Sequence, residues 1–365
     1  MRKGRMDKTL LLLILALVFG GTLIFASAAF GLLARGQVSM TSVVFNHLVL
    51  GIGLGLVGLF ALSFFDYRKW RLFAPYCFGL ALIATALVFI PQVGLSHGGG
   101  TRWLDIFGVS VQPSEGLKLA TIMVAALYFA AIRTHVGSLV WGLGGFLAII
   151  ALPTVLLVLQ PDIGTLFIIC ISVFAVYAAA GARARDIGVA IIIAIVCLGA
   201  ILYAKPHARD RVMTFLNPAQ NQQAQGYQIR QSLIAIGSGQ ILGRGLGQGV
   251  QKFKYLPEPM GDSIFAVAGE ELGFVGTVGI VLLFLFVALR GFAVAARTAD
   301  SFGGLLAVGI STYLVSEAFI NIAAMLGVFP LTGIPLTFIS QGGTAMLVSL
   351  ASAGILLNIS RHQKK

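Results

Sequence analysis

An all-α, polytopic membrane protein is the fold class this sequence predicts, on three observations. Hydrophobic residues make up 58% of its 365 residues and charged ones only 10%, against about 25% charged in soluble domains. Mean hydropathy is +0.95. Apolar segments of about 20 residues, the length that crosses a bilayer, recur along nearly the whole chain. A water-soluble enzyme, a disordered chain and a collagen-like chain are excluded by the same figures. The chain reads as one integral membrane domain, 1–365.

The predicted spans, ten in all, cover 10–34, 43–65, 72–92, 114–132, 137–159, 163–181, 187–204, 262–289, 302–326 and 343–359. The first follows Arg2, Lys3 and Arg5 as a signal peptide would, but its apolar run is too long and no small-residue cleavage site follows, so it reads as a retained helix. Between the seventh and eighth spans lies one large loop, about 205–261. Cys77, Cys170 and Cys197 fall inside spans without CxxC spacing and read as small packing residues. No Cys or His metal motif is visible, and no internal repeat supports an inverted-repeat transporter.

Charge sets the expected orientation. The net charge is +12, from 25 Lys and Arg against 13 Asp and Glu. With a cytoplasmic N-terminus, Arg2, Lys3, Arg5, Lys8, Arg68, Lys69, Arg71, Arg133, Arg183, Arg185, Arg290, Arg297, Arg361, Lys364 and Lys365 all fall inside. The short outer loops hold only Arg35 and Arg102, and Lys118 sits at a helix end. Fifteen against two follows the positive-inside rule and puts both termini in the cytoplasm. The remaining seven, Lys205, Arg209, Arg211, Arg230, Arg244, Lys252 and Lys254, lie in the long loop. That rule is weak for long loops, and nucleic acid is not needed to explain the excess.

Polar residues gather in four clusters toward the predicted outer side. The first is Gly98 to Asp105 with Gln112-Pro113-Ser114-Glu115 and Lys118. Ser114 is an expected N-cap, and Glu115 and Lys118 are one helical turn apart. They read either as a local ion pair or as a substrate contact. The second, Gln160-Pro161-Asp162-Ile163-Gly164-Thr165, is a turn in which Asp162 is a helix cap or a catalyst. The third is the long loop, with glycines at 237, 239, 243, 245, 247 and 249. Their N–H groups can cradle an anion, and Arg211, Lys252 and Lys254 point to a phosphate-bearing substrate. A solvated connector is the plain alternative. The fourth is Asp262 entering an apolar run, with Glu270 and Glu271 about two turns deeper. A carboxylate there can accept a proton from an attacking hydroxyl, or simply cap a helix. The two glutamates are expected to be paired or to face water.

The strings GTRWLD, QPSEGLKLA, QPDIGT, GYQIRQSLIAIGSG, GLGQGVQKFKYLPEP, DSIFAVAGEELGFVG and NIAAMLGVFPLTGIPLTFISQGGTAML, in this order, resemble the motifs of the SEDS family (shape, elongation, division and sporulation), which includes FtsW and RodA. The resemblance runs over nearly the whole chain. It implies ten spans with a large extracytoplasmic loop before the eighth, in the bacterial cytoplasmic membrane. The implied activity is polymerisation of lipid II into glycan strands by a glycosyltransferase. Implied partners are lipid II, the growing strand, a class B penicillin-binding protein and other divisome or elongasome membrane proteins. It also implies that Asp262 is the essential aspartate and that Glu115 and Lys118 are the family's Glu/Lys pair. Family members often read HTDF where this chain has Met260-Gly261-Asp262-Ser263, so roles for the missing His and Thr do not carry over. The segment Gln251 to Glu258 and the Gly21…Ala26-Ser27-Ala28 stretch resemble FtsW; the GIPLTFIS run and Gly342-Gly343-Thr344 are shared with RodA. The expectation is FtsW-like, with RodA-like the alternative.

The reaction then expected makes Asp262 the general base on the acceptor hydroxyl, with inversion at the anomeric carbon. Charge on the departing diphosphate would be met by Arg211, Lys252 or Lys254, by glycine N–H groups, or by a divalent cation, Mg2+ or Mn2+; Arg102 is a further candidate. A lipid II flippase and a non-catalytic scaffold for a transpeptidase are the rival readings.

Overall fold

The computed structural model describes residues 6–34, 41, 44–97, 100–106, 109–217 and 225–363. Arg2, Lys3, Arg5, Arg35, Gly98, Gly99, Lys364 and Lys365 lie outside the described residues, as does most of the polar run 217–228.

Helix α1 (Lys8–Ala34) crosses first. A π-helical turn, Val44–Gly53, leads into α2 (Leu54–Phe64). Asp66 then caps a 3-10 turn by accepting from the Arg68 N–H at 3.0 Å. That cap starts α3 (Trp70–Leu87) earlier than hydropathy alone places the third span, because Arg68, Lys69 and Arg71 disguise its first turn. After a small sheet come α4 (Pro113–Ala131), α5 (Gly144–Leu159), α6 (Ile163–Ala179) and α7 (Ala184–Ala204). The long segment that follows folds as α8 (Pro206–Leu216), α9 (Gln225–Ser238) and a single turn, α10 (Gln251–Lys254). The chain returns through α11 (Ile264–Arg297), α12 (Ser301–Met325) and α13 (Gly343–Ser360). Among the described residues nine helices are long and apolar enough to span a membrane, and α6 is a shorter apolar helix in the expected sixth position.

Two features depart from a plain helical bundle. Strands β1 (Gly94–His97), β2 (Gly100–Ile106) and β3 (Val109–Val111) form an antiparallel meander in the order β1-β2-β3. Alternation of side chains from Gly100 to Asp105 is the pattern a half-buried strand requires, and it fixes Arg102 inward and Asp105 outward. The segment expected as a loop, 205–261, is largely helical. Its polar side chains mask a set of apolar positions that pack α9 on α11.

Helices α4, α6, α12 and α13 carry the polar interior. Of the membrane-length helices α12 and α13 are the most enclosed, whereas only 6% of the apolar window of α7 is buried. Helix α7 therefore meets hydrocarbon nearly all round, and its sequence, apolar on every face, suits that.

Candidate active site

Asp262 lies immediately before α11, in a short strap that three other elements hold. Asn321 of α12 donates through Nδ2 to the Asp262 carbonyl at 2.9 Å and to the Ile334 carbonyl at 2.8 Å. Ser340 Oγ donates to the Gly261 carbonyl at 2.8 Å, and the Gln341 N–H donates to the Met260 carbonyl at 2.7 Å. Gln228 of α9 donates to Ser263 Oγ at 3.0 Å. All these bonds reach the backbone or the neighbouring serine, so the Asp262 carboxylate is not spent on holding the strap. Nor is it a helix cap: Ser263 occupies the N-cap of α11. Burial, and then the Glu258 carboxylate, push the partly buried Asp262 up to about 6, against the opposing pull of Arg211 and Arg102.

Two arginines face this carboxylate. Arg211, on α8, donates through Nη1 to the Thr332 carbonyl at 2.8 Å. A Cβ on Gly333 would lie 3.6 Å from Asp262 Oδ2 and 4.0 Å from Arg211 Nη2. Arg102, on β2, donates to the Pro161 carbonyl at 2.6 Å and stands 4.0 Å from Asp162 Oδ1. Each guanidinium keeps a buried Nε–H with no hydrogen-bond partner among the described residues. Burial, and then the Arg102 charge, lower Arg211 from its ordinary value. Burial and then the two arginines lower His207, one turn before Arg211, against the opposing Asp210. Unused N–H donors in a concentrated positive field are what an oxyanion ligand requires.

A cavity of about 50 Å³ opens beside Gly333 and joins the first two sequence clusters. Its wall includes Arg102, Gln112, Asp162, Glu115, Lys118 and Glu317. Asp162 caps α6, accepting from the Thr165 N–H at 3.3 Å, and receives longer bonds from Ser114 and Gln112 at 3.4 Å. Ser114 is not the N-cap of α4: Gln112 stands there, with Pro113 as the first helical residue. The Glu115–Lys118 pair forms as its spacing indicates, at 2.8 Å. Lys118 also donates to Glu317 Oε1 of α12 at 2.8 Å. The sequence carried no sign of this third partner beyond the presence of an acid inside a span.

The structure separates Lys252 and Lys254 from this group. Lys252 is wholly buried and donates to Glu271 Oε1 at 2.5 Å, to Ser27 Oγ of α1 at 2.6 Å and to the Gly247 carbonyl at 3.0 Å. Its ammonium is consumed by these three acceptors, so it is a buried tie and not a substrate contact. Lys254 is exposed, and the cavity wall is built without it.

The glycine-rich segment also has a different anion. Glu271 accepts from the Gly247 and Gly249 N–H groups at 3.1 and 3.3 Å, and Glu270 accepts from those of Val250 and Gln251 at 2.8 and 3.0 Å. The cradle that the glycines suggested for phosphate thus holds the protein's own carboxylates. It also serves a break in α11 at Gly273 (φ 67°, ψ −164°). There the Phe274 and Val275 N–H groups donate to the Gln240 and Ile241 carbonyls at 2.9 and 3.1 Å. Broken backbone inside a membrane needs such partners from protein.

Close approach explains one glycine directly. A Cβ on Gly239 would stand 1.9 Å from the Gly269 carbonyl oxygen. Gly239→Ala is expected to cost about 1–3 kcal/mol by overpacking, seen as earlier thermal unfolding in detergent. Gly237→Ala, where no atom lies within 4 Å, should be neutral or stabilising.

The family model described as "Cell cycle protein", FtsW/RodA/SpoVE, matches residues 8–365. The chain belongs to the FtsW/RodA/SpoVE family. Among similar proteins is the probable peptidoglycan glycosyltransferase FtsW of Geobacter metallireducens, 37% identical over 85% of this chain and 83% of that one. The peptidoglycan glycosyltransferase MrdB of Escherichia coli is 34% identical over 99% of this chain and 95% of its own. Among solved structures, a chain described in the structural coordination of polymerization and crosslinking by a peptidoglycan synthase complex superposes with a TM-score of 0.80. It is 26% identical, covering 98% of this chain and 99% of that one. The fold of that chain is therefore shared over 98% of this one.

Proposed function

We propose that this chain is a peptidoglycan glycosyltransferase that polymerises lipid II into glycan strands at the outer face of the bacterial cytoplasmic membrane. The observation that carries the reading is Asp262, a partly buried carboxylate that among the described residues makes no structural bond, facing two arginines each with an Nε–H that has no partner there. Relatives named for this activity over nearly the full chain support it.

Asp262 accepts the proton of the acceptor sugar's hydroxyl, whose oxygen attacks the anomeric carbon of the lipid-linked strand. The bond from that carbon to the diphosphate breaks with inversion, and the diphosphate keeps the electron pair. Arg102 and Arg211 stabilise the charge that develops there. Among the described residues no three His, Cys, Asp or Glu converge as a metal site, so those residues alone supply no cation cage. A Mg2+ or Mn2+ ion would have to arrive on substrate phosphates, and no step above depends on it.

The cytoplasmic placement of both termini rests on the fifteen-to-two distribution of basic residues over the short loops. The partner is a class B penicillin-binding protein, supported by the relative's place in a complex that couples polymerization to crosslinking. An FtsW-like role in division rests on the Gln251–Glu258 string.

The test is glycan formation from lipid II by the purified chain with its transpeptidase partner. Arg211→Gln and Arg102→Gln should each lower kcat/KM by roughly 10-fold or more, the value of one charge-assisted bond. Lipid translocation without any polymer would overturn the reading in favour of a flippase.

A further inference from the structure

Glu317 is a buried acid for which the reaction above has no task. It lies in α12 and is 1% exposed. Lys118 sits between it and Glu115, 2.8 Å from a carboxyl oxygen of each. One ammonium thus faces two carboxyl groups, all out of solvent. A single carboxylate would neutralise it. The second leaves the cluster with either a surplus negative charge or a bound proton, and an unbalanced buried charge costs several kcal/mol. Ionisable groups inside membrane spans are kept for function.

The neighbouring charges do not cancel the surplus. On its own helix Glu317 has Tyr313, whose ring lies 4.9 Å from Lys118 Nζ and whose hydroxyl meets Ser349 Oγ of α13 at 3.0 Å. Arg102 from β2 and Asp162 at the start of α6 balance each other across the cavity. Arg211 from α8 faces Asp262 from the strap beside Gly333, and the exposed Glu258 next to them adds negative charge, not a cation that could offset the surplus. The imbalance therefore belongs to Glu115, Lys118 and Glu317. The cavity of about 50 Å³ is lined by both glutamates and by Gly333, which lies beside the Asp262 carboxylate. That is room for water, and Arg102, Gln112, Asp162 and Thr165 in the wall offer it polar partners.

We propose that Glu317, with Glu115 and Lys118, receives the proton that Asp262 takes from the acceptor hydroxyl. The inference rests on Asp262 being the base. After each transfer Asp262 is protonated and must be cleared before the next. A proton passes from its carboxyl group to cavity water, and a proton of that water passes to the open carboxylate of the cluster. Only O–H bonds change, one proton moves, and the cluster gives it up to bulk water between turnovers. Glu317 acts through Asp262 and touches no substrate atom, so it is a positioning residue for the proton.

Glu317→Gln tests this in the full-length chain with its partner and lipid II. The amide keeps an oxygen for Lys118 but cannot take the proton, and it removes the surplus charge. The expected result is a kcat about 10-fold lower or more, a KM within about two-fold, and a Tm unchanged or raised. Raised pH or added formate should restore part of the rate, and Glu317→Asp should retain most of it. Glu317→Gln with the wild-type rate and pH profile would overturn the proposal. So would a loss that Glu317→Asp shares and neither formate nor pH relieves, since that marks a structural role. An active Asp262→Asn variant would instead remove the base reading, and this proposal with it.

Discussion

Asp262→Asn should lower glycan polymerisation by about 10²–10⁴-fold, the usual worth of a general base, while the protein folds normally. The carboxylate makes no bond that holds the strap; Asn321, Ser340 and Gln228 do that through backbone atoms and Ser263. An isosteric amide therefore leaves the architecture in place and removes only the proton acceptor. The same group sets a pH dependence. A base works deprotonated, and Asp262 is pushed up to about 6, by burial first and by Glu258 second. The rate should thus be full above that value and fall about tenfold per pH unit below it. Polymer yield and kcat/KM across this range, alongside thermal unfolding of both proteins, check the expectation. Near-wild-type polymer from the Asn variant, or a rate independent of pH through this window, would remove Asp262 from the chemistry.

The spans were legible because hydrocarbon demands length and apolarity together, and both can be read directly along the chain. Asp262, Glu115 and Lys118 were legible as polar groups at the ends of such spans. What brings Glu115 and Lys118 into one cavity wall, with Asp262 beside its Gly333, was not. The partner that Glu317 offers Lys118 comes from 199 residues away, and local spacing carries no information about it. The segment 205–261 misled for a physical reason. Glycine clusters signal backbone N–H groups open to an anion, but not which anion. Glu270 and Glu271, about 20 residues further on, satisfy those groups within the protein. Lysines near glycines then looked like a phosphate rim, although one of them, Lys252, is wholly buried. The meander carrying Arg102 was overlooked because its strands are short beside the helices around it.

Lys252→Met separates these two readings of the loop by the quantity it changes. A rim lysine would raise KM and leave stability alone. A buried tie behaves in the opposite way, because its loss strands Glu271 in a low-dielectric interior. Breaking such a pair costs about 3–5 kcal/mol. Ser27 and the Gly247 and Gly249 N–H groups remain as donors to Glu271, which puts the expected cost toward the lower end. The variant should unfold several degrees earlier and lose activity in proportion to the folded protein lost. Lys252→Met with Glu271→Gln should recover part of the stability, since the stranded charge goes with its partner. Lys254→Met, at an exposed position, should leave Tm unchanged. A Lys252→Met protein with wild-type Tm and a raised KM would return this lysine to the substrate. Loss of stability instead means that the glycine segment, clamped to the broken helix by Lys252 and two glutamates, is part of the frame that carries Asp262.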